Sequence, residues 1–183
     1  IYELWCFLAV QRALAAALPE ATWSAKKLDR LFTANGSGAA FATVLASGRE
    51  LTIEFNRTFH SHWARQDRPR WSLSGQRRPD LVITALGGDH PPAWLTLDAK
   101  YRAGRSNLAN AFESVHIYRD SLRYDGHGGP SRFAALLAPA ATEATRPWFD
   151  DAYLREHGCG IFEVAPGKPG ADRVAQWVLE ALT

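Results

Sequence analysis

The sequence predicts a mixed α/β sheet flanked by helices and contained in one domain. Three observations carry that reading. A chain of 183 residues suits one domain, or one with an appendage. Short alternating or continuously apolar runs recur along it, with the period of strands. Between them lie segments of helical spacing, and strands interleaved with helices build a layered α/β core.

In chain order, "IYELWCFLAVQRALAAAL" is apolar nearly all round and stops before Pro19, which predicts a buried helix. "SAKKLDRLF" predicts a second, short helix with Ser24 as its N-cap. "AFATVLASGRELTIEF" alternates, turns at Ser47-Gly48 and alternates again, the pattern of a β-hairpin. Arg57 to Arg78 holds six arginines, two histidines and two tryptophans with little periodicity, and reads as a basic, aromatic loop. "DLVITAL" and "WLTLDAKY" follow as strands around a Gly-Gly-Asp-His-Pro-Pro turn. In "NLANAFESVHIYRDSLRY", Leu108, Ala111, Phe112, Val115, Tyr118 and Leu122 share one helical face, with Asn107 as a candidate N-cap. "RFAALLAP" reads as a buried strand, "PWFDDAYLREHG" as a short helix closed by Gly158, "CGIFEVAP" as a strand and "ADRVAQWVLEAL" as a final amphipathic helix.

An apolar fraction of 46% is ample for a packed core and argues against global disorder. The net charge of +2 does not announce a nucleic-acid binder, although a local patch still can. Cys6 and Cys159 are too few for a disulfide framework and read as reduced core cysteines of a cytoplasmic protein. No run reaches the roughly 20 apolar residues that cross a bilayer, so no membrane association is expected. The N-terminal segment lacks a basic leader and carries Glu3, unlike a signal peptide. A chain that begins at Ile1 and contains no methionine reads as a piece of a longer protein.

The chemistry concentrates in "WLTLDAKYR", residues 94 to 102. Side chains in a strand repeat on one face every second residue, so Thr96, Asp98 and Lys100 share a face while Leu95, Leu97 and Ala99 point to a core. Pro79-Asp80 opens the preceding strand, and pairing of the two strands would bring Asp80 and Asp98 within a few ångströms. Carboxylates that close repel unless a proton or cation lies between them. Oxygen ligands suit Mg²⁺, and Lys100 could orient or deprotonate a water or stabilise charge growing on a phosphate.

These residues resemble the PD-(D/E)XK nuclease superfamily. "YELWCFL", "PDLVI", "DAKYR" and "VHIYRDSLRY", four motifs in this order from Tyr2 to Tyr124, are similar to the DUF524/DUF2357 group and to the nuclease subunit of McrBC-type restriction systems. The resemblance implies a restriction-endonuclease-like fold and a Mg²⁺-dependent DNA endonuclease, with Mn²⁺ able to substitute, in restriction or phage defence. It makes Asp80 and Asp98 the metal carboxylates, the Ala99 carbonyl a further ligand, Lys100 the catalytic lysine and Glu3 a supporting acidic residue. The apolar neighbours of Glu3 predict little exposure for it, which would be costly without a partner. His116, Tyr118, Arg119 and Asp120 would lie near the phosphate path. Arg102, on the Asp98 face by parity, is a phosphate candidate, and the basic loop from Arg57 to Arg78 is a nucleic-acid surface without individually assigned residues. An NTPase partner subunit or domain is implied as well, and a homo-oligomer stays open.

Two other readings remain at this point. The fold could serve as a catalytically inactive platform for DNA binding or assembly, although such modules lose the lysine or an aspartate and this chain keeps all of them. Hydrolysis of a small phosphoester fits the carboxylates and leaves the basic loop without a purpose.

Overall fold

The computed structural model describes residues 1–26, 39–101 and 104–182. It opens with helix α1 (Tyr2–Ala17), then β1 (Ser24–Lys26), the hairpin β2 (Ala40–Val44) and β3 (Glu50–Phe55), and two short strands, β4 (His60–Ser61) and β5 (Arg70–Ser72). The antiparallel pair β6 (Leu81–Leu86) and β7 (Ala93–Ala99) leads into α2 (Arg105–Ser121) and β8 (Leu122–Tyr124). β9 (Ala134–Ala138), α3 (Asp151–His157), β10 (Cys159–Glu163) and α4 (Gly170–Leu182) complete the order.

Among the described residues, seven strands make one sheet in the order β1-β2-β3-β6-β7-β9-β10. The sheet is antiparallel from β1 to β7 and parallel from β7 through β9 to β10. The parallel half follows from its connections: α2 and α3 carry the chain from one strand end back to the other, as parallel pairing demands. Strand alternation divides the core in two. Leu81, Ile83, Leu95, Leu97 and Ala99 join Cys6, Phe7, Val10 and Leu14 of α1 and Val174 and Val178 of α4 on one face. Ala134, Leu136 and Ile161 meet Leu108, Phe112 and Val115 of α2 on the other. Each fully buried leucine in these layers stabilises by roughly 1.5–3 kcal/mol. α3 packs at the β10 edge, with Leu154 in the first layer and Tyr153 against the second.

The hairpin turns where expected, with Gly48 at φ 75°, a conformation a glycine adopts without strain. Gly158 closes α3 in the left-handed conformation, as read from the sequence. The segment before it is broken: a 3₁₀ turn over Glu143–Phe149 precedes α3, and Asp150 caps α3 by accepting the Ala152 amide.

Three local expectations need correction. Ser24 does not cap a helix; it starts β1, where Ser24, Ala25 and Lys26 pair with Ala42, Phe41 and Ala40, and the remainder of the expected helix lies outside the described residues. Asn107 sits inside α2, whose cap is Gly104 at φ 93°. The Arg57–Arg78 segment is more than a loop, because β4 and β5 pair with each other and β5 pairs with β8 in a second, three-stranded sheet. Phe59 and Leu122 of this unit cover Trp94 and Val82 on the face that also carries Asp98.

Candidate active site

The register of β6 against β7 pairs Leu81 with Leu97. One further step of that antiparallel ladder sets Asp80 opposite Asp98. Asp80 is held there by its own Oδ2, which accepts the Ala99 amide at 2.8 Å. Both side chains are removed from water, with Asp80 5% and Asp98 1% exposed. Lys100, two residues along the same face, places Nζ 2.8 Å from Asp98 Oδ2. That contact is an ion pair, and Asp98 Oδ2 is buried without a hydrogen-bond partner among the described residues.

The electrostatics follow from crowding two carboxyls into a dry site. Burial, and then the neighbouring Asp98, push the Asp80 carboxyl up to about 7 against the hydrogen bond from Ala99 and the charge of Lys100. Asp98 is also raised, because burial outweighs Lys100 and a hydrogen bond with Asp80. Burial pulls the Lys100 ammonium down, yet Asp98, Asp80 and Glu3 outweigh it and hold Lys100 above the ordinary lysine range.

A carboxyl whose folded-state pKa lies above its unfolded value favours folding while protonated, and the advantage is lost as pH rises through the folded pKa. Asp80 therefore predicts that the metal-free protein loses stability between about pH 4 and about pH 7, by on the order of a few kcal/mol. Asp98 acts in the same direction. Thermal melts across that range in EDTA should show the decline, and Mg²⁺ should offset it at pH 8 while doing little at pH 4. A flat profile in EDTA would refute this electrostatic account.

The remaining residues singled out in the sequence separate into two groups. Glu3 is exposed rather than buried, correcting the expectation from its neighbours. It continues the α1 stripe of Cys6, Phe7 and Val10 past the covered part of the sheet, and its charge still acts on Asp80, Asp98 and Lys100. Tyr118 lies on the sheet side of α2, where burial and then Asp98 and Asp80 raise its hydroxyl pKa and Arg77 and Arg78 pull it down. His116 and Arg119 are elsewhere, lining a surface cleft with Tyr153, Glu156, His157 and Cys159. His116 packs against the edge of Phe112 at 4.9 Å, and the Arg119 guanidinium covers Gly158. Asp120 is exposed, and its backbone carbonyl accepts from Arg123. Arg102 lies outside the described residues.

Much of the basic segment is committed internally. Arg57 and Arg70 clamp Glu54 at 2.7 and 2.9 Å, Arg65 lies 4.5 Å over Trp71, and Arg68 contacts His60. Trp63 remains exposed. Arg77 and Arg78 are the residues of this segment that the site feels, and their signal was visible in the sequence as the two cations directly before Pro79-Asp80. Arg77 Nε is buried with no hydrogen-bond partner among the described residues. Cys6 went unnoticed as a neighbour of the site. Burial, opposed by Tyr2 and reinforced by Asp80 and Glu3, pushes its thiol up to about 12.

A buried carboxylate pair with an adjacent lysine, entered from β6 and β7 of a mixed sheet, coincides with the sequence resemblance. The sequence model of the PD-(D/E)XK nuclease superfamily matches residues 1–141, well over half of the chain. The chain belongs to the PD-(D/E)XK nuclease superfamily. Its seven-stranded mixed sheet with helices on both faces is the restriction-endonuclease-like fold of that superfamily. No curated protein and no solved structure matches the chain.

Superfamily members generally use divalent cations. Among the described residues, no group of three or more His, Cys, Asp or Glu gathers to hold a metal. Two buried carboxyls, both pushed up chiefly by burial and one with an oxygen lacking a hydrogen bond among the described residues, fit a cation that needs few protein ligands. Mg²⁺ is such a cation: it takes one or two carboxylates and completes its octahedron with water and phosphate. No helix of the described residues is long and apolar enough to cross a membrane.

Proposed function

We propose that this PD-(D/E)XK protein is a Mg²⁺-dependent endonuclease that hydrolyses DNA phosphodiester bonds in a restriction or phage-defence system. The observation that carries the reading is the Asp80–Asp98 pair with Lys100 in contact. Asp80 and Asp98 would hold the metal, with Mn²⁺ an effective substitute. The Ala99 amide points at Asp80, and in extended backbone its carbonyl leaves on the same edge, which supports it as a further ligand. When bound, the ion neutralises the two carboxylates and acts as a Lewis acid toward the phosphate.

The chain's own groups do the rest. Lys100, held charged by three carboxylates, donates to the attacking water or to a phosphate oxygen and opposes the negative charge that grows in the transition state. A charged ammonium is a poor base, so orientation and charge stabilisation are its roles rather than proton abstraction. Glu3 adds to the negative field at Lys100, and Arg77 and Arg78 add positive charge beside the Tyr118 hydroxyl. Residues 1–183 would act as one nuclease domain, because β10 and α4, beyond the matched region, complete the sheet and the α1 layer. The resemblance of the sequence motifs to McrBC-type systems supports an NTPase partner, and the two buried free cysteines fit a cytoplasmic site of action.

Supercoiled plasmid incubated with the protein and Mg²⁺ tests the reading directly. Nicked or linear product is expected, absent in EDTA and absent for Asp98→Ala. No cleavage of duplex DNA, single-stranded DNA or RNA by a folded protein would favour the inactive platform instead.

A further inference from the structure

Beside the carboxylates, on the other side of the end of β7, lies a cavity of about 630 Å³ bounded by residues 1–3, Trp5, Ala99, Tyr101 and Pro166. Resting on the nuclease reading, we infer that this cavity is a stacking subsite for one unpaired nucleobase next to the scissile phosphate, with Tyr101 as its platform.

The aromatic side chains form an ordered row. Tyr2 donates its hydroxyl to the Val164 carbonyl at 2.7 Å, which fixes its ring. Trp5 stacks on that ring at 5.9 Å with planes 20° apart. Tyr101 meets Tyr2 edge-on at 5.3 Å and 66°. Held by an edge and 77% exposed, Tyr101 keeps a ring face open to solvent. Base–aromatic stacking needs an open face and no particular base.

Charge and distance say which part of a nucleotide belongs there. Glu3 is the charged side chain on the wall, and it repels a phosphate, while an uncharged base is admitted. The volume falls within the range of small-molecule sites, roughly 300–1,000 Å³. Ala99 belongs to both sites: its amide holds Asp80 and it forms part of the cavity wall. From Ala99 to Tyr101 the backbone reaches at most about 7 Å, so the cavity opens around the strand end from the face that carries Lys100. A base in a duplex is already sandwiched by its neighbours, so the subsite selects single-stranded, frayed or extruded positions.

The test compares the wild type with Tyr101→Ala and Tyr101→Phe. Binding of a short single-stranded oligonucleotide is followed by fluorescence anisotropy in EDTA, and KM and kcat for its cleavage are measured in Mg²⁺. Loss of the stack should weaken binding and raise KM by about 5- to 100-fold in Tyr101→Ala, while Tyr101→Phe stays within about twofold of wild type. An oligonucleotide of the same length made wholly abasic should bind the wild type no better than the normal one binds Tyr101→Ala. Tyr101→Ala that binds and cleaves like the wild type, or a wild type indifferent to abasic sites, overturns the subsite and leaves the nuclease reading standing. A wild type that neither binds nor cleaves nucleic acid overturns both.

Discussion

Lys100→Ala is expected to slow DNA cleavage by about a hundred- to a thousandfold, the loss typical of removing one preorganised donor from a developing negative charge. The effect should fall on kcat, since the ammonium is held in place by Asp98 before any substrate arrives. Lys100→Arg should rescue little, because a planar guanidinium cannot replace a compact ammonium beside a buried carboxylate. The variant also leaves Asp98 buried beside Asp80 with no cation. Its melting temperature in EDTA should therefore fall below the wild type at pH 8 and recover with Mg²⁺ or at pH 4. Plasmid cleavage, read beside circular dichroism, separates the two effects. Wild-type kcat in a folded Lys100→Ala protein would remove the lysine from the mechanism.

Asp80→Asn should be inactive and, without metal, more stable than the wild type. At pH 8 the wild type keeps two ionised carboxyls in a space that has raised the first to about 7. The amide removes one of those charges, and its oxygen can still accept the Ala99 N–H. A gain of roughly 2–8 °C in EDTA is expected from a relief of about one to two kcal/mol in a chain of this size. The gain should disappear near pH 4, where the wild-type pair is already protonated, and the order should invert in saturating Mg²⁺. Loss of activity with lower stability at pH 8 in EDTA would mean that Asp80 contributes mainly through its hydrogen bond. The site thus gives up metal-free stability to keep two carboxylates together, a recurrent stability–function trade-off.

The carboxylate face was legible because strand parity is strict: once Leu95, Leu97 and Ala99 were read as core, Asp98 and Lys100 had to share the opposite face. The hairpin at Ser47-Gly48 was equally local. β1 was not legible, since Ser-Ala-Lys carries no strand signal and becomes a strand through its pairing with β2, far along the chain. The use made of Arg57 and Arg70 was hidden for the same reason, because Glu54 reaches them from β3. On α2, helical spacing placed Tyr118 on the buried stripe but could not say that His116 and Arg119 turn toward α3. Glu3 shows the limit of judging burial from neighbours: its stripe is buried, but it stands where the cover ends.

The claim beneath all of these expectations is that Asp80 and Asp98 together hold a divalent cation. Calorimetric titration of Mg²⁺ into the wild type and into the Asp80→Ala/Asp98→Ala double variant, with a short DNA duplex present in both, tests it most directly. The account predicts saturable binding to the wild type and none to the double variant. Two folded proteins that titrate alike would contradict it.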